Sequence, residues 1–178
     1  MNDKGKTHGL VLLHTGNGKG KSTAAFGQAL RAAGQGLKVC IVQFIKGQSQ
    51  TGEAKAFAAL ADRVEFHVKG SGFTWQQKDK EAVVRVGREA FAFAREKIMS
   101  GLYDMVVLDE LTYLVKYGMV SEEDVLDLIR RRPAGLHLVI TGRDAGARLI
   151  DAADLVSEVR MIKHPYDAGI MAQKGIEY

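Results

Sequence analysis

The run Leu10-Val11-Leu12-Leu13-His14 leads straight into Thr15-Gly16-Asn17-Gly18-Lys19-Gly20-Lys21-Ser22, and that segment into an alanine-rich stretch. A short, continuous apolar run is the pattern of a strand buried on both faces. Ser22 to Ala33 has the composition of a helix, with Gly34 as its stop. The glycines at 16, 18 and 20 let the chain turn sharply between the two elements. A strand buried on both faces and followed at once by a helix has to sit inside a sheet that helices cover.

The remainder repeats the alternation. Val39-Cys40-Ile41-Val42-Gln43-Phe44, Val64-Glu65-Phe66-His67, Met105-Val106-Val107-Leu108, Leu136-His137-Leu138-Val139-Ile140 and Leu155 to Arg160 read as strands. Glu53 to Ala61 and Ser121 to Arg131 read as helices, the second with Ser121 as N-cap. Lys78 to Ser100 places Val83, Val86, Ala90, Phe91, Ala94 and Ile98 on one helical stripe, closed by Gly101. Strands alternating with helices predict an α/β fold of three layers, with a mostly parallel central sheet and ligands at the carboxyl ends of the strands. The 178 residues contain no repeat, low-complexity segment or proline-rich linker, so one domain over 1–178 is expected.

The single cysteine, Cys40, excludes an internal disulfide and reads as a small buried hydrophobe. That suits a reducing cytosol. Met1 to His8 lacks the apolar centre of a signal peptide, and no apolar stretch approaches the ~20 residues of a membrane span. A cytoplasmic protein with no membrane partner is the expectation. The net charge of +4 is spread out, with no dense Lys/Arg block among aromatics. Small polyanions, and no nucleic-acid partner, are therefore expected. His14, His67, His137 and His164 show no metal-ligand spacing.

The glycine loop is suited to phosphate. Backbone N–H groups from Gly16, Asn17, Gly18, Lys19 and Gly20 can converge on an anion, and the following helix adds the positive end of its dipole. Lys21 supplies a charge and Ser22 a hydroxyl suited to Mg²⁺. The usual pattern, G-x-x-x-x-G-K-[ST], has glycine where this chain has Thr15, so the loop is a variant of it. A glycine- and lysine-rich surface turn is the plain alternative, and the strand–loop–helix context weighs against it. The strand Met105-Val106-Val107-Leu108 ends in two acids, Asp109 and Glu110, at the position where P-loop proteins hold Mg²⁺. Successive strand residues face opposite ways, so one acid is expected to face the loop and the other to support it; which one is open. Arg143, after the strand Leu138-Val139-Ile140, either reaches polyphosphate oxygens or sits in a surface turn. Phe73 and Trp75 are two large aromatics in the glycine-flanked polar segment Lys69 to Gln77. They are either anchors on the core or a binding surface, a stacked base included.

Further segments join these in chain order: Val42-Gln43-Phe44-Ile45-Lys46-Gly47, Gly72-Phe73-Thr74-Trp75, Leu108-Asp109-Glu110-Leu111-Thr112-Tyr113, Ile140-Thr141-Gly142-Arg143 and the tail from His164 to Tyr178. Together with Thr15 to Ser22, this series resembles the ATP:corrinoid adenosyltransferase family of vitamin B12 metabolism, in its P-loop branch. The loop by itself is unspecific; its combination with the Phe-Thr-Trp segment and the Ala-Gly…Ala-Gln-Lys-Gly-Ile-Glu tail is specific.

Such enzymes transfer the 5′-deoxyadenosyl group of ATP to the Co(I) centre of a reduced corrinoid and release triphosphate. The resemblance implies a RecA-like fold, a homodimer, a reductase or flavin reductant as partner, and ATP lying reversed relative to ordinary P-loop ATPases. It implies ATP contacts from Gly16, Asn17, Gly18, Lys19, Gly20, Lys21, Ser22, Thr23 and Arg143, and Mg²⁺ at Ser22 with Glu110 or Asp109. It places Phe73 and Trp75 below the corrin, where they displace its lower ligand. Some members carry a longer N-terminal segment over the corrinoid site; with about nine residues ahead of the first strand here, a short or absent lid is expected. Another P-loop ATPase or kinase, or a corrinoid or ATP carrier without turnover, are the competing readings.

Overall fold

The structure, a computed structural model, describes residues 8–45, 51–70 and 80–177. Residues 1–7, on which the expectation of a short or absent lid bears, Lys46 and Gly47, and the aromatics Phe73 and Trp75 lie outside the described residues. In chain order the elements are β1 (Val11–Thr15), α1 (Lys21–Gly34), β2 (Val39–Gln43), α2 (Gly52–Ala58), β3 (Val64–Val68), α3 (Lys80–Met99) and β4 (Met105–Asp109). They continue with α4 (Leu111–Lys116), α5 (Glu122–Arg131), β5 (His137–Thr141), α6 (Ala147–Asp151) and β6 (Leu155–Glu158), before a short 3-10 turn at Pro165–Ala168.

The six strands form one sheet in the order β3-β2-β4-β5-β1-β6, and every pairing is parallel. The α/β expectation holds, and the sheet is more uniform than "mostly parallel". Alternation along the strands divides the core in two. Cys40, Val42, Val106, Leu108, Leu138 and Ile140 pack on one face with residues of α3, α4 and α5. Val39, Ile41, Met105, Val107 and Val139 pack on the other with α1 and with Phe57 of α2. On that second face Phe26, Phe57 and Phe66 meet at ring-centroid distances of 5.7 to 6.1 Å. Each fully buried Leu, Ile or Val contributes about 1.5–3 kcal/mol by leaving water.

The topology places the site. The chain leaves β1 and β2 over the α1 face, moving toward the β3 edge, and leaves β3, β4 and β5 over the opposite face, moving toward β6. Neighbours β2 and β4 therefore diverge to opposite faces, and so do β5 and β1. Crevices open at the carboxyl ends of such pairs.

Several boundaries differ from the sequence expectation. Gly34 lies inside α1, and the left-handed residue that ends it is Gly36, at φ 84°. The helix expected from Glu53 to Ala61 starts at Gly52, with the Thr51 hydroxyl accepting from the Ala54 N–H, and stops at Ala58. β6 stops at Glu158, short of Arg160, and β5 runs one residue further than expected, to Thr141. The short helices α4 and α6 have no counterpart in the sequence reading, because five or six residues carry too little periodicity to stand out. Ser121 does cap α5, in a reciprocal arrangement with Asp124.

Candidate active site

The loop between β1 and α1 turns at two glycines with positive φ, Gly16 at 96° and Gly20 at 110°. Gly18 donates its N–H to the Val159 carbonyl at 2.7 Å, and an added Cβ there would come within 2.8 Å of that oxygen. The loop thus rests on the chain that follows β6. Lys19 pairs with Glu177, which brings the C-terminal tail back to the same loop. Asn17, Lys19 and Gly20 are exposed, Ser22 is half-buried and Thr23 exposed. Thr15, the departure from the usual glycine, is buried, and its hydroxyl accepts from the Ala145 N–H at 3.3 Å. It ties the end of β1 to the chain after β5, which glycine could not do.

Lys21 donates from Nζ to the Gly18 carbonyl at 2.6 Å. Burial lowers its pKa, the neighbouring Arg143 charge lowers it further, and Glu110, Asp109 and Asp144 oppose both. One ammonium therefore feels the loop, the two acids Asp109 and Glu110 at the end of β4, and the arginine after β5. The fold brings together groups that lie far apart in the chain.

Asp109 is fully buried and lies on the same face as Met105 and Val107, the α1 face. Its Oδ2 accepts from Gln43 Nε2 at 2.8 Å and its Oδ1 from the Thr141 hydroxyl at 2.7 Å. Thr141 Oγ1 in turn accepts from the Glu110 N–H at 2.9 Å. Glu110 does not continue the strand alternation, because β4 ends at Asp109 and Glu110 takes a left-handed turn, φ 64° and ψ 28°, to open α4. The expectation of two acids on opposite strand faces therefore fails for Glu110, although both carboxylates act on Lys21. Arg143 is exposed; its carbonyl accepts from the Thr112 hydroxyl at 2.7 Å. Its neighbour Asp144 pairs with Lys116 at 2.7 Å.

The family described as "ATP:corrinoid adenosyltransferase BtuR/CobO/CobP" matches residues 7–178. The chain belongs to the ATP:corrinoid adenosyltransferase family. It is 45% identical over 170 residues to a Pseudomonas aeruginosa corrinoid adenosyltransferase, covering 96% of this chain and 84% of that one. It is 44% identical over 170 residues to the corrinoid adenosyltransferase of Escherichia coli and to corrinoid adenosyltransferase CobA of Salmonella typhimurium, covering 96% of this chain and 86% of each. Among solved structures, flagellar accessory protein FlaH from Methanocaldococcus jannaschii is similar at a TM-score of 0.56 and 12% identity, over 88% of this chain and 73% of that one. That likeness concerns the fold alone.

For this adenosyltransferase-family chain, sequence reasoning missed three polar residues at the site: Gln43, Thr141 and Thr112. A signal for the first two is present. Each is a polar residue that ends a strand directly after an apolar run, in phase with Ile41, Val139 and, across the sheet, Val107. The fold also brings His67 to a cluster that its spacing gave no hint of. Donor atoms of Cys40, Glu65 and His67 lie within 4.8 Å of one another. Glu65 is already held by Lys97 at 2.7 Å, and burial pushes the Cys40 thiol up to about 12. Among the described residues, no helix is long and apolar enough to cross a membrane.

Proposed function

We propose that this protein moves the 5′-deoxyadenosyl group of ATP to the Co(I) centre of a reduced corrinoid, and that the strand-end site holds triphosphate as an intact leaving group. Family membership carries the transfer of the adenosyl group from ATP to a corrinoid. The observation that supports the site is the convergence of Arg143, Glu110 and Asp109 on Lys21 of the glycine loop.

The electron pair of Co(I) forms the Co–C bond at C5′, and the C5′–O bond breaks with its pair leaving on triphosphate. The corrinoid is the nucleophile, so the protein needs none. Its tasks are to align C5′ with cobalt and to stabilise charge growing on the leaving oxygen. Backbone N–H groups of Gly16, Asn17, Lys19 and Gly20 line the triphosphate, while that of Gly18 stays on the Val159 carbonyl and holds the loop in shape. Lys21 exchanges the Gly18 carbonyl for a phosphate oxygen, with Arg143 as a second cation. Burial of Lys21 strengthens each of these contacts, since less water screens them.

Mg²⁺ fits the donor set: the Ser22 hydroxyl and the carboxylates of Asp109 and Glu110 are all oxygens, as a hard cation requires. When bound, it neutralises charge on triphosphate. In this reading Phe73 and Trp75 pack below the corrin and leave cobalt four-coordinate. That eases reduction to Co(I), because axial donation no longer stabilises Co(II). The reading extends to one catalytic domain over 1–178, a cytoplasmic homodimer, and electrons from a reductase or flavin.

Incubation with ATP, Mg²⁺ and chemically reduced cobalamin in the dark tests the reaction. A light-sensitive alkylcobalamin spectrum is expected. Formation of ADP with unaltered cobalamin would mean an ATPase or kinase, and tight corrinoid binding without product would mean a carrier. Phe73→Ala and Trp75→Ala are expected to impair turnover from Co(II) more than from pre-reduced Co(I). Equal losses from both starting states would remove them from the lower-ligand role.

A further inference from the structure

Gln43 closes β2, at the crevice with β4, and its side chain is fully buried. Its orientation is fixed by chemistry. A carboxylate accepts and does not donate, so the amide nitrogen must face Asp109, and Nε2 donates to Oδ2 at 2.8 Å. The amide oxygen is thereby turned away from the acid. That oxygen, Oε1, is buried and has no hydrogen-bond partner, alone in this among side-chain atoms of the described residues. Buried polar atoms in native proteins are paired, so an oriented amide with an open acceptor calls for a donor.

Among the described residues, the strands on the same face of the sheet offer none. Ile41, Val107 and Val139 are apolar, and the Thr141 hydroxyl proton is already given to Asp109. A hydrated cation does offer one. Mg²⁺ dehydrates reluctantly, and a water it holds is a strong donor at a carboxylate-lined site. Residues that orient a metal's ligands or its waters from behind are part of such sites.

We propose that Gln43 is a positioning residue for the hydrated cation of the triphosphate complex: Nε2 holds Asp109, and Oε1 accepts a hydrogen bond from a water on the cation. This rests on the reading of the strand ends as the Mg²⁺–triphosphate site. One amide then fixes both the acid and the hydration shell in front of it. Neither a carboxylate nor an apolar side chain supplies both contacts at neutral pH.

The test is ATP binding to the full chain, with Mn²⁺ as the spectroscopic probe for the cation and with no metal present. Gln43→Met keeps the length of the side chain and removes both contacts. It is expected to weaken Mn²⁺–ATP binding about 10–100-fold, to leave metal-free ATP binding unchanged, and to alter the water-proton couplings of bound Mn²⁺. Gln43→Asn keeps the amide but is one methylene shorter, so it cannot span from Asp109 to a water on the cation, and the same loss confined to Mn²⁺–ATP is expected of it. Equal losses with and without Mn²⁺, or no loss at all, would overturn the proposal. If Gln43→Met does not fold, Gln43→Asn decides it by the same comparison of Mn²⁺–ATP with metal-free ATP. Ser22→Ala and Asp109→Asn separate the two levels of the claim. If they weaken Mn²⁺–ATP binding and Gln43→Met does not, the role of Gln43 alone is wrong. If none of the three does, the metal site itself is wrong.

Discussion

Two charged clusters stand on the same sheet, and they are finished to different degrees. Where β2 and β3 pair, Glu65 accepts from Lys97 at 2.7 Å, and Lys97 also donates to the Tyr103 hydroxyl at 2.9 Å. The Lys97 bond, then that of Tyr103, holds the Glu65 carboxyl down to about 2. At the ends of β1, β2, β4 and β5 the pattern is the reverse. Lys21 is bonded to a neutral carbonyl and its pKa is lowered, Asp109 is held only by neutral donors, and Gln43 keeps an open acceptor. A cluster whose charges are matched has little to offer a ligand. A cluster held in place by neutral groups, with charge left over, is poised to bind one.

The comparison can be broken from either side. The largest effect expected is from Lys21→Ala, which should lower kcat/KM for ATP by about 10²–10³-fold in the alkylation assay; unchanged turnover would put Lys21 outside the site. Lys97→Met, in the matched cluster, should leave that kcat/KM unaltered. Asp109→Asn should come next, raising the Mg²⁺ concentration for half-maximal turnover by about 10–100-fold, read from a metal titration. If the Mg²⁺ dependence stays where it was, Asp109 only braces the strand ends.

Smaller effects belong to stability. Thr15→Gly removes the acceptor for the Ala145 N–H and loosens the unfolded chain, so denaturant melts should show a loss of about 1 kcal/mol. Glu65→Gln should cost about 0.5–1 kcal/mol at neutral pH, since the Glu65–Lys97 pair is half-exposed and screened. The pH dependence follows from the sign of the shift. The Glu65 carboxyl titrates at 4.5 ordinarily and near 2 when folded, so its contribution is present above 4.5 and is lost as pH falls toward 2. Acid melts of the two forms should converge in that window. A constant difference through it would assign the low pKa no part in stability.

The sequence carried the parts of this molecule that depend on neighbours in the chain. The apolar runs, the glycine loop entering α1 and Asp109 at the end of β4 are local patterns, and each lies in the element its pattern names, with boundaries moved by a residue or two. What stayed hidden depends on partners brought together by folding. Gln43 reaches Asp109 across 66 positions, and Thr141 reaches it across 32. Only the pairing of β2 with β4, which sets Gln43 opposite Asp109, makes the first contact. Glu110 was misread for a local reason: the alternation of a strand was carried one residue past its end, into a left-handed turn. Thr15 marks the loop as a variant in the sequence, but its partner, the Ala145 N–H, comes from a segment 130 positions away.

The central claim is that the glycine loop grips triphosphate as an intact leaving group. Phosphorus NMR of the products, taken during turnover of ATP with reduced cobalamin, tests it most directly. The account predicts inorganic triphosphate appearing mole for mole with alkylcobalamin. ADP with orthophosphate as the first products, or alkylcobalamin formed without triphosphate, would contradict it.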